Sequence, residues 1–297
     1  MKFEFSYRNY SINLELLRHI RKKPHALTVF NYHQIGKKFI PGIHTQGTFT
    51  ESSFFREQLV YIQKEYTIIS LSEGIELLNH GKLDGNYAAI TVDDGDKSVL
   101  EMIPILKKLQ IPATFFINGA HLDNKMSYWY AIYNFIKHHS SYNTLITQQI
   151  EEDIVKLRHT LDREFYQEYV FRFQKLFEEI KTDFNLYLSS EELKVINDPL
   201  FNIAPHGYYH ERFSMMDESW QRDNLEKDIV CFKDHPYYQH IFAIPFGRTG
   251  DWNHTTIKVA LELGLQIVFA NGGINVEKDV GYKRIPADRR VIEELKF

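Results

Sequence analysis

Cysteine is nearly absent from this chain: Cys231 is the only one among 297 residues. No disulfide can form within it, and no thiolate zinc site is available. No stretch approaches the ~18 consecutive apolar residues that a membrane-spanning helix needs, so no membrane span is expected. Basic blocks are missing too. The formal net charge is -4, and the two small basic runs, Arg21-Lys22-Lys23 and Lys37-Lys38, read as solvated faces. Without a phosphate-binding stripe, nucleic acid is excluded as the expected partner. Met1 to Tyr10 alternates charged and aromatic residues and holds no apolar core of signal-peptide length, which sets a cytoplasmic protein as the expectation. There is no internal repeat and no low-complexity linker.

What is present is a globular composition, 43% hydrophobic and 25% charged. One domain over 1–297 is expected, since α/β barrels commonly reach about 250 residues. Short apolar runs rich in β-branched and aromatic residues predict buried strands at Ala26–Phe30, Ala88–Val92, Ala113–Ile117, Phe201–Ala204, Ile241–Ile244 and Leu265–Phe269. Both faces of these runs are apolar, which suits parallel strands covered by helices. After Asp96, the spacing of Val99, Leu100, Ile103, Leu106 and Leu109 puts one apolar stripe on a helix, which Pro104 is expected to interrupt and kink. Strand, helix and strand within some 30 residues make the βαβ unit of an α/β fold. From Ser127 to Val195 the strand signals fade and helix formers dominate, as in Glu151–Arg158 and Phe171–Ile180, which predicts a helical insertion over 127–195.

Two stretches at strand ends carry candidate chemistry. The first is Thr91-Val92-Asp93-Asp94-Gly95. Adjacent carboxylates at a buried strand end repel unless something offsets the repulsion. A divalent cation does so: one Asp ligates it and the other stays free as a base. Asp-Asp-Gly is also ordinary turn and N-cap chemistry, and taken alone the turn is the better reading. The second stretch is Pro205-His206-Gly207-Tyr208-Tyr209-His210. Histidines four apart can meet at one metal if the chain between them turns tightly. The zincin motif shares this spacing but needs Glu where Gly207 stands, and with 14 His in the chain such a pair also arises by chance. The two stretches say more together. In a parallel barrel all strand C-termini open on one face, where two imidazoles and a carboxylate make a three-ligand metal site with open positions.

These segments resemble the polysaccharide deacetylase family, also called the NodB-homology fold. The likeness is carried by Thr-Val-Asp-Asp-Gly at 91–95, by Pro104 to Lys108 running on through Ile111 to Ile117, and by the His206/His210 pair. Phe242-Ala243-Ile244-Pro245-Phe246-Gly247 and the early Tyr32-His33-Gln34-Ile35 complete it. The resemblance implies an irregular α/β barrel and a metal-dependent hydrolase that removes N-acetyl groups from an amino-sugar substrate. It implies Asp93 as general base, Asp94, His206 and His210 as ligands of zinc, cobalt or nickel, and Pro245 and Phe246 lining the acyl groove. An oxyanion would rest on the metal and a backbone N–H.

The chain departs from the pattern in two places. The Arg that normally holds the catalytic Asp is replaced by Ala243, leaving Arg248, Arg284 or Arg289 as candidates for that task. The late Leu-X-His that supplies the general acid is missing, and the tail Arg284 to Arg289 has no His, so His33 or His254 is the candidate acid. Tyr208 and Tyr209 could stack on a sugar, or one could pack inward while the other covers the site. Trp129, with Tyr128 and Tyr130, either shapes a groove or belongs to a core. Asn271-Gly272-Gly273 reads as a strand-end loop rather than a phosphate cradle, and Cys231 is expected to be buried. Two other functions compete. A two-His, one-carboxylate set also serves non-haem iron oxygenases, against which the doubled Asp and the strand-helix alternation count. A carbohydrate-binding protein with a dead site fits the missing Arg and His, but gives no chemical reason to keep both the ligands and the base.

Overall fold

The computed structural model describes residues 25–270 and 272–288, so Met1 to Tyr10, the Arg21-Lys22-Lys23 run, Asn271 and Arg289 lie outside the described residues. The chain begins β1 (Ala26–Tyr32), β2 (Gln34–Gly36), β3 (Phe49–Glu51), α1 (Ser52–Glu65), β4 (Thr67–Ile68), α2 (Leu71–Asn79), β5 (Asn86–Val92), α3 (Val99–Leu109) and β6 (Ala113–Ile117). Three helices follow, α4 (Trp129–His138), α5 (Gln148–Leu157) and α6 (Arg163–Ile180), and lead to β7 (Phe201–Pro205). The remainder is α7 (Glu218–Phe232), β8 (Ile241–Ala243), α8 (His254–Glu262), β9 (Gln266–Phe269), β10 (Gly281–Lys283) and β11 (Ile285–Pro286).

The strand ladders are parallel, and they close a ring. One sheet runs β11-β1-β5-β6-β7 and another β10-β9-β8. Ile203 in β7 joins them: its N–H donates to the Tyr237 carbonyl at 3.1 Å, and its own carbonyl accepts from the Gln239 N–H at 2.8 Å, just before β8. At the other seam only Arg284 separates β10, paired with β9, from β11, paired with β1. The barrel is irregular because β5 pairs with β4 over its first half and with β6 over its second.

Side chains alternate in and out along each strand. The registers place Leu27, Val29, Ala89, Phe116, Ala204, Ala243, Val268 and Tyr282 in one buried cluster, with Leu71, Ile75 and Leu78 of α2 packed against it. The opposite faces of β1, β5 and β6 pack Phe30, Tyr32, Ile90, Val92 and Phe115 with residues of α1 and α3. Continuing the inward alternation by one or two more steps reaches Asn31, Thr91, Asp93, His206 and Arg284. One end of the barrel interior is therefore polar.

The helical insertion has a core of its own, built on Ile136, Ile154, Phe173, Phe177, Ile180 and Phe184. Thr147 and Asp162 accept hydrogen bonds from backbone N–H groups in the first turns of α5 and α6, which fixes where those helices start. Trp129 is buried in this core against Phe173, so it packs rather than lining a groove. Two expectations fail. The helix α3 runs through Pro104 without interruption, held by its buried face of Val99, Met102, Ile103 and Leu106. Cys231 is exposed rather than buried, because it stands on the outer side of α7 next to buried Phe232. No helix among the described residues is long and apolar enough to cross a membrane.

Candidate metal centre and active site

Asp93 and Asp94 directly follow β5, and the chain turns sharply there. Asp94 takes a positive φ of 76° and Gly95 one of 67°. A Cβ on Gly95 would come within 2.8 Å of Ile117 Cγ2, so this turn demands glycine. The turn points the two carboxylates differently. Asp94 Oδ1 lies 3.3 Å from His206 Nε2 and 3.1 Å from His210 Nε2. His206 continues inward from β7, and His210 is brought back by a turn through Gly207, its own φ at 54°.

These three residues fit a cation. Their donor atoms lie within 4.8 Å of one another, the one such cluster of three among the described residues. Tetrahedral bonds of about 2.0–2.1 Å place neighbouring ligand atoms roughly 3.3 Å apart. The His206 Nδ1–H donates to the Ala243 carbonyl at 2.8 Å, which leaves the Nε2 lone pair facing Asp94. Burial would push the Asp94 carboxyl up, but the two imidazoles hold it well below the usual carboxylate range. The backbone under the ligands is also fixed. Asp228 accepts from the N–H of His206 at 2.9 Å and of Gly119 at 2.8 Å, and burial pushes its carboxyl up to about 7.

Asp93 points to the barrel axis. Arg284, fully buried, grips it with both arms, Nη1 to Oδ1 at 2.7 Å and Nη2 to Oδ2 at 2.9 Å. Asn31 donates to Asp93 Oδ2 at 3.0 Å and accepts from both Arg284 and Thr91. Burial opposes the charge on Asp93, yet the Arg284 guanidinium, with His206 and His33, keeps the carboxyl below its ordinary value. Among the three candidate arginines, Arg284 takes the place left by Ala243. Arg248 is exposed, and Arg289 lies outside the described residues.

His33 Nε2 is 3.8 Å from Asp93 Oδ2, on the side away from its other ring nitrogen. Asp288 holds that other side, accepting from the His33 backbone N–H at 3.0 Å and bonded to Nδ1 at 2.7 Å. Burial lowers the His33 pKa, but Asp288, Asp94 and Asp93 outweigh it and raise it to about 9. His254, by contrast, is the exposed first residue of α8.

The aromatic wall differs from the expectation. Tyr128, from the insertion, packs its ring 4.4 Å from His210, and Phe246 meets the same imidazole edge-to-face at 4.8 Å. Pro245 is buried, with its ring against Gly207 in the histidine turn. Tyr208 packs over Gly119 beside Cys231, and Tyr209 meets Lys227, which places both on the α7 side. One residue escaped the sequence reading altogether. His121, fully buried, stacks between Tyr187 at 4.3 Å and His210 at 6.1 Å, and burial holds it neutral, with its pKa well below the ordinary value. It sits in a 3-10 turn, Gly119–Asn124, with no periodic signal to single it out.

The profile of the polysaccharide deacetylase family matches residues 80–268, which hold Asp93, Asp94, His206 and His210. No curated protein matches the chain. Among solved structures, a polysaccharide deacetylase from Bacillus cereus is similar over 92% of this chain and 68% of its own, at 14% identity and a TM-score of 0.59. IcaB from Ammonifex degensii is similar over 90% and 94%, at 18% identity and a TM-score of 0.59. The Streptococcus pyogenes deacetylase PplD, solved with acetate, is similar over 92% and 98%, at 17% identity and a TM-score of 0.54. At such identities the solved structures speak for the fold, while the profile spans well over half of the sequence. The chain belongs to the polysaccharide deacetylase family.

Proposed function

We propose that this polysaccharide deacetylase removes N-acetyl groups from amino sugars with Asp93 as general base and His33 as general acid. Asp94, His206 and His210 would hold the metal, zinc being the preferred choice for two imidazoles and a carboxylate. A divalent metal bound there supplies Lewis-acid polarisation of the amide carbonyl and acidifies water.

The chain's own groups supply the rest. Asp93, ionised and locked by Arg284, takes a proton from the attacking water as its oxygen bonds to the carbonyl carbon. His33 then gives its proton to the nitrogen as the C–N bond breaks, releasing a free amine and a carboxylate. A histidine raised to about 9 carries that proton at neutral pH. Phe246 and Tyr128, packed on His210, form the apolar side of the site.

One observation carries this reading: Asp93, gripped by Arg284, and His33, bonded to Asp288, stand 3.8 Å apart beside the cation cluster. The sequence lacks the family's usual Arg and late His, which had favoured a dead site. Arg284, bound to Asp93, and His33, 3.8 Å from it, support a working site in which they serve in place of those groups. The experiment measures metal content and acetate release on N-acetylated glucosamine oligosaccharides, for the wild type and Asp93→Asn. Release should fall on the order of 10²-fold or more while metal stays bound. Protein that binds no divalent metal would sink the proposal.

A further inference from the structure

The turn after β6 is fastened to the histidine turn by its backbone. Asn118 Nδ2 donates to the carbonyls of His206 at 2.9 Å and Gly207 at 2.5 Å, and the Ala120 N–H donates to the Tyr208 carbonyl at 3.1 Å. The next residue, His121, donates its own N–H to the Asn118 carbonyl at 3.1 Å, and its ring is buried. We propose that His121 is a positioning residue of the metal centre, holding Asp94 through its backbone and His210 through its ring, and so setting how tightly and in what geometry a cation is bound. The inference rests on the reading of Asp94, His206 and His210 as ligands.

Burial comes first. His121 is 1% exposed, and neither ring nitrogen makes a full hydrogen bond among the described residues. Taking an imidazole out of water without partners costs free energy that a phenyl ring does not. Packing alone would favour phenylalanine here, so the nitrogens need another reason. Placement supplies it, since the polar group that the ring engages is the backbone of Asp94. Asp94 takes a φ of 76°, which a non-glycine residue keeps only where its surroundings enforce it. A ring N–H directed at that backbone supports the turn that aims the carboxylate. The second hold is a stack. The His121 ring lies 4.3 Å from Tyr187, 6.0 Å from Tyr128 and 6.1 Å from His210, at interplanar angles of 25°, 24° and 26°. His210 has need of it. The Ala243 carbonyl fixes His206 through Nδ1, whereas His210 Nδ1 has no hydrogen-bond partner among the described residues. Metal-bound histidines are ordinarily oriented through that second nitrogen. One imidazole ligand is thus set by a hydrogen bond and the other by packed rings, of which His121 is the one that also engages Asp94.

Two substitutions separate positioning from packing. His121→Phe keeps a ring in the stack and removes the nitrogens, while His121→Gln gives up the ring and keeps an N–H. Zinc affinity is measured by competition with a chromophoric chelator, and ligand geometry by the visible absorption of the cobalt-loaded protein. The unfolding midpoint of the metal-free protein is recorded for each variant. His121→Phe should bind zinc about 10–100-fold more weakly and shift the cobalt spectrum, with the metal-free midpoint no lower than that of the wild type. With saturating metal, kcat on N-acetylated glucosamine oligosaccharides should fall while KM stays near its wild-type value. His121→Gln should recover part of the lost affinity. If His121→Phe does not fold, His121→Met, which also lacks an N–H, takes its place with the same expected losses. A His121→Phe protein with wild-type zinc affinity and an unaltered cobalt spectrum overturns the proposal. A Gln variant no better than the Phe variant assigns the loss to packing and overturns it as well. A wild type that binds neither metal sinks the metal-site reading itself, whereas one that binds both while the variants match it sinks only the role of His121.

Discussion

At the residue scale, the site depends on how one carboxylate is kept charged in a buried place. Asp93 is buried, which favours its neutral form, and Arg284 reverses this with two parallel hydrogen bonds. A lysine retains the charge but not the fork. Arg284→Lys should therefore lower kcat by about 10²-fold through misplacement of the base. Because the Arg284 charge depresses the Asp93 pKa, an Arg284→Gln variant, which removes that charge, should raise it and move the acid limb of the pH–rate profile to higher pH. An unmoved limb would show that Arg284 does not set the charge on Asp93. His33 gives the alkaline side. Its acid form persists up to about 9, so kcat should fall as pH rises through a limb no higher than that. His33→Gln should lose that limb along with most of the rate, and measurement of kcat from pH 6 to 10 checks both points.

At the element scale, the metal loop and the insertion are joined by a buried pair. Tyr166 of α6 donates to Glu211 at 2.7 Å, directly after His210, and its hydroxyl accepts from the Arg212 N–H at 3.2 Å. Arg212 in turn reaches Asp251 and the Thr160 carbonyl. Burial pushes the Glu211 carboxyl up to about 8, against a smaller opposing effect of Tyr166. The sign is the reverse of the usual acid. The folded protein keeps a proton that the unfolded chain has already lost above pH ~4.3, so stability falls as pH rises toward 8. Glu211→Gln should flatten this part of the stability curve, seen as denaturation midpoints that no longer drop between pH 5 and 8. The same element-scale logic explains the backbone strain. Asp94, His210 and Phe246 all adopt positive φ, of 76°, 54° and 60°, at the turns that aim the site. Non-glycine residues hold such conformations only where surrounding packing enforces them.

At the scale of the whole molecule, the site is a place where separate lengths of chain converge on one barrel mouth. Asp94 comes from β5 and the histidines from beyond β7, with the whole insertion between them in sequence. A cation holding these ends together binds the folded state and not the unfolded one. It should therefore stabilise by about 2.7 kcal/mol at a free concentration 100 times its Kd. Thermal unfolding with and without a chelator checks this: the midpoint should fall on chelation in the wild type and stay put in a His206→Ala/His210→Ala variant. An all-parallel barrel also bears on the oxygenase reading, since the double-stranded β-helix of those enzymes is antiparallel in character and none of these ladders is.

The sequence by itself determined six of the strands, because each of those is a short run with apolar residues on both faces, and Ala113–Ile117 is found with the predicted bounds, while β2, β3, β4, β10 and β11, each two or three residues long, escaped it. It also determined Asp93, Asp94, His206 and His210 as the candidate set, since each pair is local and follows a strand. Tertiary structure alone decided the partners that act across the barrel. Arg284 was one of three candidate arginines, and the strand pieces flanking it are three and two residues long, too short for alternation to show which way it points. His33 meets Asp288 across 255 residues of chain, and that carboxylate raises a pKa that burial alone would lower. The same separation hid the surroundings of two neighbouring residues. Pro245 and Tyr208 lie next to site residues in sequence, but the tight turns that bring in the histidines rotate one beneath Gly207 and the other toward α7. Periodicity records which face of an element is buried. It does not record which distant element buries it, and that pairing is what gives a carboxylate, an imidazole and a guanidinium their chemistry here.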